Sequence, residues 1–291
     1  MIIPHKKRTK LHYINLVNIV LLVSVVGFGT YINLDLARKT EILDQQITNN
    51  RIILEKSSAI ISAAAKKRQP VYVSLPGADT IRAIRQDYMA PDSLWTIINK
   101  THSISTDYVP SSLSVPNVPL NPGKTQSEMS VRSDIKEPLE TMFAAAKTAG
   151  FSLMLGSGYR SAALQRSYFN SLAASVGDTA ANQAIAYPGQ SEHQSGLAAD
   201  ISLVSSECYL SNCFATTGAG KWLEDNSYKY GFILRYPSGK ESITQYQYEP
   251  WHFRYVDIDL ATALYQSGLT LDEAWSYLQA ADDILRSNQA I

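Results

Sequence analysis

A long run of apolar residues lies near the N-terminus. It extends from about Leu16 to Ile32 and contains only three polar residues. This length is close to the lower limit for a helix that crosses a membrane, and it exceeds that of most signal-peptide cores. The pattern therefore predicts a transmembrane segment over residues 14–34, preceded by a short tail at residues 1–13.

Charged residues on the two sides of this run predict its orientation. Four cations at positions 6, 7, 8 and 10 precede it without an acidic residue among them, whereas basic and acidic residues balance just after it. The positive-inside rule places the basic tail in the cytoplasm and the remainder of the chain outside. A cleaved signal peptide is the alternative, but no Ala-x-Ala site follows and Gly27-Phe28-Gly29 is a weak cleavage candidate. We favour an uncleaved signal-anchor in the cell membrane.

Residues 35–69 contain neither Pro nor Gly and predict a continuous helix. Their apolar side chains follow a seven-residue repeat at two heptad positions, occupied by Ile47, Leu54 and Ile61 and by Leu36 and Leu43. The second position continues with polar residues, so a coiled-coil homodimer and a single solvated stalk both fit the pattern. A helix of this length would lift the following domain about 50 Å from the bilayer. We assign residues 35–79 to this stalk and linker.

Beyond the linker, the hydrophobic pattern predicts helices at 135–148, 164–174, 219–230 and 271–287. Short apolar or alternating runs predict strands at 151–155, 198–203 and 253–256. The segment 103–130 is rich in Ser and Pro, and Pro favours an extended loop because it fixes φ and lacks a donor. Together these elements predict a small sheet with helices packed on it, an α+β fold, in one domain covering residues 80–291.

The overall charge excludes one class of partner. The chain of 291 residues has 26 basic and 26 acidic residues, and its formal net charge is zero. A nucleic-acid-binding surface requires a clustered excess of Lys and Arg, so we expect no nucleic-acid partner. A hydrophobic content of 45% is ordinary for a globular domain.

Two short segments in the C-terminal half concentrate residues that can bind a metal. His193 and Asp200 lie in the first, and Glu249 precedes His252 by three positions in the second. A catalytic zinc site requires three protein ligands, an open position for water and a nearby base. His193, Asp200 and His252 fit the ligand roles and Glu249 fits the base. The pattern predicts a metallohydrolase with about one Zn²⁺ per chain.

Several motifs occur in one order around these residues. They are SGYRS at 157–161 followed by Gln165, PGQSEHQSGLAAD at 188–200, and EPWH at 249–252. Together they resemble the VanY-like D-alanyl-D-alanine carboxypeptidases, which are zinc peptidases that trim peptidoglycan stem peptides. The resemblance extends over roughly residues 80–285. Ser195 and Gln245 depart from the residues common in the family, and neither is a proposed ligand.

The resemblance implies a hedgehog/DD-peptidase fold with a small antiparallel sheet and packed helices. It also implies zinc-dependent removal of the C-terminal D-alanine from stem peptides. Arg160 would bind the terminal carboxylate of the substrate, for which its planar guanidinium is suited. Gln165 and Ser191 would add hydrogen bonds to the substrate. Tyr159 and Trp251 would either line the substrate cleft or pack in the core.

Two other functions fit the same motifs. An endopeptidase would cut within the stem or crossbridge, and it would not require a free C-terminal carboxylate. A membrane-tethered protein that binds or senses the wall with an inactive peptidase fold would be indicated by the loss of a ligand. D,D and L,D specificity both remain open, as does zinc against another divalent ion.

Cys208 and Cys213 are the only cysteines. Outside the membrane, an isolated pair five residues apart predicts a local disulfide that holds a loop. Two thiols alone would make a poor zinc site. The loop would lie next to the strand that is expected to carry Asp200.

Overall fold

The computed structural model describes residues 5–67, 70–83, 88 and 90–288. These residues fall into two units, an N-terminal unit and a compact unit that begins at Pro70. The structure does not describe the side chains of residues 60–67, including Ile61 of the heptad pattern, or residues 68–69 of the predicted helix. Residues 1–4 of the predicted tail also lie outside the described part.

The N-terminal unit is a single helix, α1, from His5 to Lys67. Between Asn15 and Ala59 it contains an 18-residue window with a mean hydropathy of 1.9, long and apolar enough to cross a membrane. A signal sequence meets the same criteria, so the uncleaved anchor stays a prediction. The continuous helix expected from residue 35 onward is confirmed as far as Lys67.

The compact unit consists of short strands and helices. The strands are β1 (Val71–Val73), β2 (Ile81–Ala83), β3 (Leu113–Ser114), β4 (Val131–Arg132), β5 (Leu153–Ser157), β6 (Ala198–Leu203), β7 (Phe232–Leu234) and β8 (His252–Tyr255). The helices are α2 (Lys136–Thr148), α3 (Ala162–Val176), α4 (Asp178–Ala184), α5 (Gly218–Asn226), α6 (Glu241–Thr244), α7 (Ile258–Ser267) and α8 (Leu271–Ser287). Turns of 3₁₀ helix occupy Glu192–Ser195, Asn212–Thr216 and Ser227–Tyr230.

The central sheet is antiparallel, with strand order β5–β6–β8–β7. Its register places Asp200 of β6 opposite His252 of β8 on one side and opposite Ser157 of β5 on the other. An irregularity between Leu155 and Ser157 shifts the pairing at the end of β5. The register therefore brings together residues that are about fifty positions apart in the chain.

Helices pack on this sheet through their apolar faces. α2 packs against β5, and α7 packs against β7. The buried residues of α2 recur at the spacing of one helical face and are Leu139, Met142, Phe143 and Ala146. The hairpin formed by β1 and β2 packs against α7 and α8. This arrangement confirms the α+β class, with a small antiparallel sheet and packed helices.

Local signals account for where several helices begin and end. At the start of α8, the Thr270 hydroxyl accepts from the Glu273 N–H and the Glu273 carboxylate accepts from the Thr270 N–H, which is a capping box. The Ser161 hydroxyl accepts from the Leu164 N–H at the start of α3. Gly231, at φ 83°, ends the turn before β7 in a conformation that favours glycine.

Most of the predicted elements occur in the structure. The helices expected at 135–148, 164–174 and 271–287 are α2, α3 and α8, with small differences at their ends. The helix expected at 219–230 is shorter, because α5 stops at Asn226 and a 3₁₀ turn continues to Tyr230. The strands expected at 151–155, 198–203 and 253–256 are β5, β6 and β8, although β5 begins only at Leu153.

Other elements were not predicted. They include the hairpin β1–β2, whose first strand precedes the predicted domain boundary at residue 80 and whose second follows it. The pattern of α7 was available in the sequence, because Asp257 caps its start and Gly268 follows its end. β7 has three residues, too few to show an alternating pattern of its own.

Candidate metal centre and substrate cleft

The three predicted ligands converge in the compact unit. Asp200 lies in the middle of β6, and His252 is the first residue of β8. His193 lies in the 3₁₀ turn Glu192–Ser195, which precedes β6. All three side chains are buried, and one donor atom from each lies within 4.8 Å of the others.

The Asp200 carboxylate lies between the two imidazoles. Its Oδ2 is 3.3 Å from His193 Nε2, and its Oδ1 is 3.1 Å from His252 Nδ1. The other nitrogen of His193, Nδ1, is 2.6 Å from the Gly158 carbonyl oxygen. His193 therefore turns Nε2, and His252 turns Nδ1, toward the shared carboxylate.

The electrostatics of this group favour a bound cation. Burial opposes ionisation of Asp200, but the neighbouring imidazoles outweigh it and hold the pKa of Asp200 well below its usual range. Burial also opposes protonation of His252, but the carboxylates of Asp200 and Glu192 raise the pKa of His252 to about 9. The group thus attracts positive charge. Two imidazoles and one carboxylate in a buried site are a donor set that fits zinc.

Glu249 lies beside the three ligand candidates. Its Oε2 is 3.6 Å from His252 Nδ1, and its side chain lines the adjoining cavity. Burial raises the pKa of Glu249 to about 7, with Asp200 adding to this effect and His252 opposing it. A carboxylate with a pKa near neutrality can both accept and return a proton, which fits the predicted role of a general base.

Arg160 and Gln165 are held together on the cavity wall. Arg160 donates from Nη1 to Gln165 Oε1 at 3.1 Å and from Nη2 to Ser157 Oγ at 3.2 Å. Gln165 is itself fixed, because its Nε2 donates to the Ala186 carbonyl oxygen at 2.7 Å. Arg160 Nε is buried and has no hydrogen-bond partner within the part of the chain that the structure describes. An unpaired buried donor costs free energy, which an incoming carboxylate would offset.

Gly158 connects the Arg160 segment to the ligand candidate His193. A Cβ at this position would lie 2.3 Å from the Ser130 carbonyl oxygen, so the close approach of the two backbones requires glycine. The Gly158 carbonyl accepts from His193, and the Arg160 N–H donates to the His193 carbonyl oxygen at 3.1 Å. The SGYRS motif and the ligand candidate His193 are therefore joined by one side-chain and one backbone hydrogen bond.

The cavity beside these groups has a volume of about 270 Å³. Ser191 and Trp251 line it, as does Leu210. Tyr159 is buried and is not among the described residues that line the cavity. Of the two aromatic residues that the sequence placed either in the cleft or in the core, only Trp251 contacts the cavity.

Cys208 and Cys213 form a disulfide, as the sequence predicted. The loop that it closes is seated on β5, because the ring of Tyr209 lies 3.3 Å from where a Cβ on Gly156 would be. The Tyr209 hydroxyl also accepts from Asn121 Nδ2 at 2.7 Å. Leu210, the next residue of the loop, has a φ of 44° and lines the cavity.

Sequence reasoning missed three residues next to the site. Tyr236 and Tyr246 line the cavity, and the Tyr236 ring lies 4.9 Å from that of His252. Glu192 is 1% exposed and contacts two buried arginines. Its position directly before His193 was the signal that could have identified it.

Known proteins are similar to this chain over the segment that carries these residues. Residues 128–258 match the family described as VanY: D-alanyl-D-alanine carboxypeptidase. The putative carboxypeptidase YodJ of Bacillus subtilis is 43% identical over 183 residues, which are 63% of this chain and 67% of that protein. The chain spans about half the length of the D-alanyl-D-alanine carboxypeptidases that it matches in Enterococcus.

Two solved structures are similar to this chain. The LdcB LD-carboxypeptidase is 42% identical with a TM-score of 0.62, over 64% of this chain and 87% of that chain. The D,D-pentapeptidase VanY in complex with Zn(II) is 32% identical with a TM-score of 0.51, over 62% of this chain and 98% of that chain.

The fold and the sequence matches define a hydrolase, a carboxypeptidase with the DD-peptidase fold. The chain belongs to the VanY family of D-alanyl-D-alanine carboxypeptidases, whose substrates are found in peptidoglycan.

Proposed function

We propose that this protein is a zinc-dependent carboxypeptidase that removes the C-terminal D-alanine from peptidoglycan stem peptides. The observation that carries the proposal is the convergence of His193, Asp200 and His252 beside Glu249 in one cavity. His193 Nε2, an Asp200 oxygen and His252 Nδ1 would hold the metal. When bound, zinc would act as a Lewis acid and lower the pKa of its water.

The side chains around the metal site divide the remaining tasks. Glu249 would take a proton from the attacking water and return it to the leaving amine. Arg160 would bind the terminal carboxylate, with Gln165 and Ser157 holding the guanidinium in place. Ser191 and Trp251 would contact the peptide from the cavity wall. Because Arg160 would recognise a chain end, the geometry favours an exopeptidase over an endopeptidase.

A second specificity has its own support. LdcB is an LD-carboxypeptidase, and it is more similar to this chain than the D,D-pentapeptidase VanY is, by identity and by TM-score. An L,D enzyme would remove D-alanine from tetrapeptides, whereas a D,D enzyme would act on pentapeptides that end in two D-alanines. The two activities share the metal site and differ in which peptide bond lies over it.

The N-terminal helix suggests where this activity takes place. We propose that α1 is an uncleaved anchor that leaves the tail in the cytoplasm and the carboxypeptidase domain outside. The apolar heptad positions of its stalk would allow a homodimer.

Mass spectrometry of defined muropeptides tests the function. The purified protein is incubated with tetrapeptide and pentapeptide muropeptides, each with a free or an amidated C-terminus, and its zinc content is measured by elemental analysis. We expect about one zinc per chain and loss of one alanine only from peptides with a free carboxylate. A protein without metal, or an activity that survives chelation, would contradict the zinc mechanism. Cleavage of amidated peptides would identify an endopeptidase.

A further inference from the structure

Two buried polar atoms face each other behind the metal ligands without a hydrogen bond. His252 Nε2, on the side of the ring away from Asp200, has no partner among the described residues. Glu192 Oε2 has none either. The two atoms are 3.7 Å apart, and both side chains are at most 5% exposed. Native proteins seldom leave such atoms unpaired, so the pair requires an explanation.

The Glu192 carboxylate is held firmly by two arginines. Its Oε1 accepts from Arg235 Nε and from Arg254 Nη1, both at 2.7 Å. Arg235 also donates to Asp272, and Arg254 Nη2 donates to the Thr96 carbonyl oxygen at 2.8 Å. Two guanidinium and two carboxylate groups make this buried cluster neutral, which allows charge to be retained inside the fold. Because both arginines use Oε1, Oε2 remains available toward His252.

The imidazoles of His193 and His252 have similar surroundings. The nitrogen of each that points away from Asp200 faces an oxygen, which is the Gly158 carbonyl for His193 and the Glu192 carboxylate for His252. A neutral imidazole carries one proton, and an acceptor at one nitrogen leaves the lone pair of the other free for a metal. Glu192, ionised and paired with arginines, is an acceptor only.

We propose that Glu192 is a positioning residue of the metal site: its Oε2 accepts the Nε2 proton of His252 and so directs His252 Nδ1 toward the metal. The inference rests on the proposed zinc-dependent function. A small rotation of either side chain would bring the 3.7 Å separation to the usual length of about 2.9 Å. The Arg235–Arg254 cluster would thus orient a metal ligand without contacting the substrate.

Glu192→Gln is the informative variant because it reverses one hydrogen bond. The two arginines both require an acceptor, so the amide oxygen must take the Oε1 position. The amide NH₂ group then faces His252 Nε2 and donates to it, which moves the imidazole proton to Nδ1. The side-chain volume is unchanged, but the wrong nitrogen of His252 is protonated. We expect zinc affinity to fall by roughly 10- to 100-fold.

Asp272→Asn is the matched control. It removes one negative charge from the same cluster, since Asp272 pairs with Arg235, but it does not face His252. If Glu192 acts only by balancing the arginines, the two variants should lose zinc affinity equally. If Glu192 positions His252, Asp272→Asn should bind zinc within about threefold of wild type, a change too small to reflect a lost ligand contact.

The experiment measures zinc affinity by competition with a chelator, folding by circular dichroism, and the imidazole N–H signals of the zinc-loaded protein by ¹H–¹⁵N NMR. We expect wild type to show a downfield, slowly exchanging Nε2 proton on His252 that Glu192→Gln lacks. This signal in wild type decides the question even if Glu192→Gln does not fold. Its absence, or equal zinc affinity in wild type and Glu192→Gln, overturns the role of Glu192. Failure of wild type to bind zinc contradicts the proposed function instead.

Discussion

Asp200 and His252 lie directly opposite each other on β6 and β8, and His252 Nδ1 is 3.1 Å from Asp200 Oδ1. The pairing of these two strands brings the EPWH motif at 249–252 next to the motif at 188–200, which contains Asp200. Since both residues belong to a hydrogen-bonded ladder with buried side chains, their separation is set by the backbone rather than by flexible loops.

Replacing Glu249 should separate catalysis from metal binding. Glu249→Gln removes the base and leaves the three ligand candidates, so turnover should fall by a factor on the order of 10² to 10⁴. Zinc content, measured by elemental analysis of the same sample, should stay that of wild type. An exposed acid, Glu224, serves as a control, and Glu224→Gln should be fully active. Near-normal turnover of Glu249→Gln would assign the base elsewhere.

The effects of mutating Arg160 and of amidating the substrate carboxylate on kcat/KM should be coupled. Arg160→Lys should lose much of kcat/KM and Arg160→Ala more, because Lys does not provide the planar pair of donors. Amidation of the peptide C-terminus should strongly impair wild type and add little to the loss in Arg160→Ala, since both changes remove the same contact. Steady-state kinetics with both peptides measure the coupling, and fully additive losses would show that Arg160 acts elsewhere.

The disulfide loop should contribute to substrate binding through Leu210. Leu210→Ala removes an apolar contact from the cavity wall and should raise KM several-fold, as expected for about 1 kcal/mol of lost contact, with kcat little changed. Reduction of the Cys208–Cys213 bond with a phosphine should raise KM in wild type and have little further effect in Leu210→Ala. Val204→Ala, at an exposed position before the loop, is the control. A KM that neither change affects would remove the loop from the binding site.

Glu128 should stabilise the fold above acidic pH. Burial opposes its ionisation, but hydrogen bonds from Thr125, Lys124 and Tyr168 outweigh it and lower the pKa of Glu128 to about 2. A folded-state pKa below the unfolded value of about 4.3 adds stability above that pH, and this stability is lost as the pH falls toward 2.

Glu128→Gln should therefore reduce the free energy of unfolding at pH 7 by on the order of 1–3 kcal/mol. The difference from wild type should shrink between about pH 5 and pH 2. Urea denaturation of the full chain in detergent, at several pH values, measures both effects. A difference that is constant with pH would mean that the carboxylate charge is not the source of the stability.

A reporter fusion should show on which side of the membrane the C-terminal end of α1 lies. A fusion after about residue 70 should be active only outside the cytoplasm, and the full-length protein should remain in the membrane fraction, because the cations precede the apolar run. Recovery of only a shortened soluble form would indicate that the apolar run is a cleaved signal peptide.

The sequence by itself determined the features that depend on neighbouring residues. The period of apolar positions predicted α2, α3 and α8, and the absence of Pro and Gly predicted the long helix α1. Residue chemistry and spacing identified His193, Asp200, His252 and Glu249 as candidates before any distance was known. The same reasoning predicted the disulfide between Cys208 and Cys213, because a separation of five residues allows the two thiols to close a short loop.

Tertiary structure decided what depends on residues distant in the chain. Only the register of β6 and β8 places His252 opposite Asp200, and only the side-chain conformation shows that Nδ1 faces the carboxylate. Only the packing of Arg235 and Arg254 shows why Glu192 is buried. The cavity contact of Leu210 and the burial of Tyr159 likewise follow from packing. A local pattern specifies which face of a strand or helix is apolar, but it does not specify which distant element will cover that face.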